Sequence, residues 1–152
     1  MLNKLIAPIA LAIFCVVPLW AADAVIGTWV LDVKGSVYSP GPPPRSQTRV
    51  YRESAEGITA TVVTVNPDGK ATTVEYPVNY DGQAHAVSGS PDIDVIKMIK
   101  VDNYRSESSL MHAGKVLAKA VREVSANMLT ITYEGTATDG GSVKNISRYK
   151  RQ

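Results

Sequence analysis

Residues 68–82 read DGKATTVEYPVNYDG. Two Asp-Gly pairs, which suit tight turns with positive φ, bracket a segment of strict alternation. Val74, Tyr76, Val78 and Tyr80 fall on one side of it, and Thr73, Glu75, Pro77 and Asn79 on the other. A period of two is that of a β-strand with one face in a core. Pro77 has no N–H for a ladder, so this strand lies at an edge or is bulged there.

The same punctuation recurs outward from this stretch. Glu56-Gly57, Asn66-Pro67-Asp68-Gly69, Gly89-Ser90-Pro91, Asp102-Asn103, Ala113-Gly114, Ala126-Asn127 and Asp139-Gly140-Gly141 break the chain roughly every dozen residues, and the segments between are rich in Val, Thr, Ile and Tyr. No stretch carries a helical stripe; the nearest, Lys115 to Val124, alternates equally well as a strand. Alternation assigns faces. Val25, Gly27, Trp29, Leu31 and Val33 share one side of the first strand. Ile93, Val95, Ile99 and Val101 share another, with Lys97 among them. Val116, Ala118, Ala120, Arg122 and Val124 form a third set, and Leu129, Ile131 and Tyr133 a fourth. Residues 143 to 150 fit either phase. Nine or ten strands joined by short turns are antiparallel neighbours. Such an up-and-down meander closes on itself and removes its edges, giving an all-β antiparallel barrel of about eight to ten strands. The first connection, KGSVYSPGPPPRSQ, holds four prolines and reads as an extended flap across the barrel or its end.

The chain opens MLNKLIAPIALAIFCVVPLWAADA. One Lys, an apolar run and a small-x-small site at Ala22-Asp23-Ala24 read as a secretory signal peptide over residues 1–24, cut after Ala22 or Ala24. The run from Leu5 to Trp20 is 16 residues with two prolines, short of the roughly 20 a membrane span needs, so no stable anchor is expected. Cys15 follows Phe14, where lipidation requires a small residue. The domain over residues 25–152 is then free of cysteine, which excludes disulfides, thiol nucleophiles and Cys-ligated metals. A secreted or periplasmic location follows. The formal charge is +2, from 16 basic and 14 acidic residues without a block of either sign, and no nucleic-acid partner is expected. The oligomeric state stays open.

Gly27-Thr28-Trp29 on a first strand, a meander after it and an Arg-Tyr pair at the chain end resemble the calycin barrels, the lipocalins and fatty-acid-binding proteins. More closely, the chain resembles small exported bacterial proteins described as lipocalin-like. Those run from a GTW strand to an SPGP loop (Ser39 to Pro42), paired DG turns, an R-x-V-S segment (Arg122 to Ser125) and a final tyrosine strand (Tyr149). The resemblance implies structural roles for Trp29 and Gly27 at the closed end of the barrel, with Arg148 stacked over the Trp29 ring. Two departures stand out: no lid helices are predicted, and the region after residue 24 has no Phe, its aromatic surface being seven tyrosines and one tryptophan.

That usage directs attention to the interior. A buried Tyr needs a partner for its hydroxyl, so Tyr76, Tyr80 and Tyr133 would give a polar-tipped lining, unless they sit at barrel ends in water. Arg122 shares a face with two alanines that leave room beside it. If that face points inward, Arg122 requires an internal acid or an anionic ligand; if outward, Leu117 and Val121 fill the core instead. His85 and His112 lack ligand-like spacing, so neither metal nor cofactor is expected. Asp92 and Asp94 read as surface turn caps. No nucleophile elbow supports a catalytic serine, and Asn145-Ile146-Ser147, a sequon by pattern, falls in a strand. The sequence fits a binding protein for a small hydrophobic, aromatic or organic-acid ligand held by Tyr76, Tyr80, Arg122 and Tyr133. It also accommodates an isomerase- or cyclase-type enzyme on the same barrel, or a filled barrel serving as an envelope or interaction module.

Overall fold

A computed structural model describes residues 22–137 and 139–152. The expected signal peptide lies almost wholly outside the described residues. Among them there is no helix. Eleven strands form one antiparallel sheet: β1 (Gly27–Leu31), β2 (Val37–Ser39), β3 (Ser46–Ser54), β4 (Gly57–Val65), β5 (Ala71–Val78), β6 (His85–Ala86), β7 (Val95–Lys100), β8 (Arg105–His112), β9 (Lys115–Val124), β10 (Met128–Thr136) and β11 (Ser142–Arg151). The count exceeds nine or ten because two short pieces, β2 and β6, pair as strands. β2 is the proline flap: it lies along β11, with Tyr38 opposite Asn145.

The sheet order is β5-β4-β3-β1-β11-β10-β9-β8-β7-β6. The chain's first and last strands are therefore neighbours, with Trp29 opposite Arg151. The meander curls into a nearly closed barrel. The seam is at β5, the strand of Pro77, where reciprocal backbone hydrogen bonds between Glu75 and Ser88 (3.0 and 2.9 Å) join the two ends of the sheet. Gly89 makes that approach possible. Its φ is +76°, and a Cβ there would run into the carbonyl oxygen of Thr73.

One end of the barrel is packed solid. Val25, Trp29, Tyr51, Leu129 and Tyr149 are its largest enclosed side chains. Trp29 is fully buried, and its indole N–H donates to the Val25 carbonyl at 2.7 Å. The cation over its ring is Arg151, 4.0 Å from the centroid, and not Arg148 as the resemblance implied. Inward and outward residues alternate along β11, so Arg148 shares neither face nor height with Trp29; it donates to the Gly35 carbonyl under the flap. Arg151 also donates to the carbonyls of Ala24, Ile26 and Ala126, each at 2.8 Å. Gly27 supplies the space: a Cβ there would stand 2.6 Å from an Arg151 Nη atom.

Two other expected faces hold, one left open is settled, and one does not hold. Ala118, Arg122 and Val124 point inward on β9, although Val116 at its start is exposed. Leu129 is buried on β10, and β11 resolves with Ser147 and Tyr149 inward. On β7 the phase is reversed: Ile96 and Met98 are buried, while Ile99 and Val101 are exposed. Both faces of this strand carry apolar residues, so alternation alone cannot choose. Ile93 belongs to the preceding loop and does not set the register.

Replacing Arg151 with Ala removes a ring contact worth about 0.5–2 kcal/mol and the shared donor of three carbonyls. In urea unfolding we expect a loss of about 2 kcal/mol or more. Arg148→Ala, the control, should cost less than half as much.

Candidate functional site

Beyond the packed end the barrel is hollow. A cavity of about 210 Å³ is lined by β3, β4, β5, β7, β8, β9 and β10 and by the loop carrying Ser90 and Ile93. Ala120, the small residue two along from Arg122, leaves part of this space. The charged groups gather at one end of the cavity. Arg49, Tyr51, Tyr76 and Arg122 lie there, next to the packed core: Arg49 is in register with Trp29, and Arg122 precedes buried Val124 by one inward position. Val74, Ile93, Ile96, Met98, Leu110 and Tyr133 line much of the rest, together with the uncharged polar residues Gln47, Thr64, Ser90, Ser106 and Ser108.

Arg122 is only 7% exposed. One Nη donates to the Tyr80 hydroxyl at 2.5 Å, and Tyr80 in turn donates to the Asp23 carboxylate at 2.9 Å. Lys100 meets the same carboxylate oxygen at 3.2 Å. The guanidinium also lies 5.4 Å from the Tyr51 ring centroid and 5.7 Å from that of Tyr80. Its Nε has no partner. Arg122 thus has an acid, but at one remove, through a phenol. Burial pushes that phenol up to about 12; Arg122 opposes the rise and Asp23 adds to it. Tyr80 stays a neutral donor. It does not line the main cavity, as the strand pattern suggested. β5 ends at Val78, and Tyr80 reaches from the following turn to the far side of Arg122.

The second cation is Arg49, which the sequence did not single out. Its Nε donates to the Tyr149 hydroxyl at 3.0 Å and an Nη to the Tyr76 hydroxyl at 3.3 Å. The Tyr149 hydroxyl is passed on to the Gln47 amide oxygen. The Arg49 guanidinium also lies 5.2 Å from the Tyr149 centroid. All these partners are neutral. Burial works against its charge, but the phenols of Tyr149, Tyr51 and Tyr76 more than offset this and hold its pKa well above the usual value. Arg122 behaves the same way, with Tyr51, Tyr80 and Tyr76 as the favourable neighbours. Among the described residues, neither guanidinium is within ion-pair distance of a carboxylate, and no Asp or Glu lines the cavity.

Tyr51 sits between the two cations. Burial raises its phenol, yet Arg49 and Arg122 outweigh burial and leave the pKa below the ordinary phenol value. Its hydroxyl is enclosed and has no partner at hydrogen-bonding geometry. Tyr76 is pushed upward, chiefly by burial and then by Tyr51. Tyr133 lines the opposite reach of the cavity, where burial and Asp92 raise it. Of the four expected ligand residues, Tyr76, Arg122 and Tyr133 share the cavity, and Tyr80 backs it from outside. Gln47, Arg49 and Tyr51 were missed because the inward face of β3 is polar. Its outward face carries Val50, so alternation of hydrophobicity gave no cue. No group of three or more His, Cys, Asp or Glu able to hold a metal exists among the described residues.

No protein-family model matches the sequence, and no curated protein matches it at a significant level.

A cation held only by neutral groups is a cost to folding unless something else requires it. We therefore expect Arg49→Met to leave the unfolding free energy within about 1 kcal/mol of the parent, or above it, as read by denaturant titration without ligand. A loss of about 3 kcal/mol or more would mark Arg49 as a structural residue.

Proposed function

We propose that this chain is an exported lipocalin-like barrel that binds a small amphipathic anion. A carboxylate would lie against the guanidiniums of Arg49 and Arg122, and an apolar body would extend along Ile96, Met98 and Leu110 towards Tyr133. One observation carries the reading: a buried guanidinium, Arg122, and a half-buried one, Arg49, face a cavity that none of the described acidic residues lines. A planar guanidinium suits a carboxylate through two parallel hydrogen bonds, and exclusion of water strengthens the attraction. Tyr76 and Tyr133 add hydroxyl tips to a wall that mixes apolar side chains with Gln47, Thr64, Ser90, Ser106 and Ser108.

The hollow interior weighs against a filled barrel. Secretion rests on the leader sequence, with a secreted or periplasmic location as its consequence.

Native mass spectrometry of protein exported by its own host tests the reading. A bound small acid should be retained by the parent, reduced in Arg122→Ala and lost in Arg49→Met. A protein that carries nothing and shows no thermal shift with any added carboxylate overturns it, as does equal binding of acids and their amides.

A further inference from the structure

The cavity is small for a barrel interior. At about 210 Å³ it falls below the roughly 300–1,000 Å³ of common small-molecule sites. It exceeds the engineered apolar void of about 150 Å³ that accepts one benzene ring. Scaling between cavity volume and ligand size at that ratio leaves room for roughly eight to ten non-hydrogen atoms. A ring or a six-carbon chain bearing one carboxylate fits this; a long-chain fatty acid, roughly twice as large, would leave much of its chain outside.

The charges restrict the ligand further. Asp23 is shared between Lys100 and, through Tyr80, Arg122, and Arg49 meets only neutral phenols. The unmatched positive charge is confined to the polar end, where one carboxylate reaches it. A second carboxylate at the other end of the ligand would fall among Ile96, Met98 and Leu110, where no cation waits. Resting on the anion-binding reading above, we infer that the site selects compact monocarboxylates, with a single aromatic ring or a short alkyl chain, and excludes long-chain acids and dicarboxylates.

Calorimetric titration of the full-length exported protein with phenylacetate, hexanoate, palmitate, succinate and phenylacetamide tests this. Phenylacetate or hexanoate should bind at least about ten-fold tighter than the other three, a difference of about 1.4 kcal/mol. Leu110→Ala should lengthen the preferred alkyl acid by about two carbons, because the half-buried Leu110 side chain walls the apolar end. Should that variant fail to fold, Ile93→Ala on the loop makes the same test. Palmitate or succinate binding as tightly as hexanoate overturns the size and charge selection while leaving an anion site standing. Failure of every carboxylate overturns both.

A separate observation bears on processing. Asp23 is part of the folded domain: its carboxylate accepts from the Val25 N–H at 3.0 Å, from Tyr80 and from Lys100. The Ala24 carbonyl accepts from Arg151. Val25 is fully buried, whereas Ala22 is exposed. Cleavage after Ala24 would strip the acid from the Tyr80–Arg122 chain and place a new ammonium on an enclosed residue. Granting the secretory leader, the geometry points to cleavage after Ala22, with Asp23 as the first residue of the exported form. Intact mass of the periplasmic or secreted protein should show a start at Asp23. A start at Val25 overturns the assignment of the cut; retention of Met1 overturns the leader itself.

Discussion

Everything above the barrel's floor depends on the guanidinium of Arg151 lying on the ring of Trp29. This contact brings the first and last strands together, and the same group ties down the carbonyls of Ala24, Ile26 and Ala126. A meander closes only if its two ends find each other, and pairing of strands so distant in sequence carries a large loop-closure cost. Trp29 supplies the apolar area that offsets it. Arg151 fixes the register, since only one pairing of β1 with β11 sets its head over the ring while its donors reach three carbonyls. Gly27 is the third element. The stack needs the volume that any side chain at that position would occupy.

A solid end and a hollow end divide the work. Val25, Leu31, Val124 and Leu129 pack against Trp29 and give the domain its core without disulfides. That leaves the interior farther along free to carry groups that a core would not tolerate. Arg49 and Arg122 stand at the boundary, where the protein around them strips away water but their phenol neighbours keep them charged. Tyrosine serves here where phenylalanine could not. It fills barrel volume like any aromatic, and its hydroxyl gives a buried cation a neutral partner that leaves the charge available.

The architecture was legible because alternation and turn chemistry agree along most of the chain. Residues 68–82 carry both in full, and β5 forms at the seam that Pro77 required. The flap was legible in part: four prolines excluded a helix or a central strand, but not the short pairing of β2 with β11. Where alternation is silent the reading stopped. β7 is apolar on both faces, so Ile96 and Met98 could not be separated from Val95 and Ile99 without the pairing partner. β3 is polar on its inward face, so Gln47, Arg49 and Tyr51 offered no apolar alternation to read. Arg122 was visible because alanines and valines surround it in the strand. Its partner could not be, because Asp23 reaches it through Tyr80 from a part of the chain that reads as a leader.

The exchange of Arg148 for Arg151 shows how closely position controls role in a barrel. Three residues along a strand change both the face and the height, so an arginine one turn of the pleat away can share no partner with its neighbour. Arg148 serves the flap through Gly35, and Arg151 serves the floor. The same rule places the interior cations: Arg49 and Arg122 reach a common neighbour, Tyr51, because both border the packed layer, Arg49 in register with Trp29 on β3 and Arg122 one inward step from Val124 on β9. Each is held by phenols on its own side, and the side facing the void is left to whatever enters. A barrel that closed one layer higher would bury both against apolar groups, and one that closed lower would expose them to solvent. The Trp29 layer therefore sets the depth at which an interior positive charge is retained.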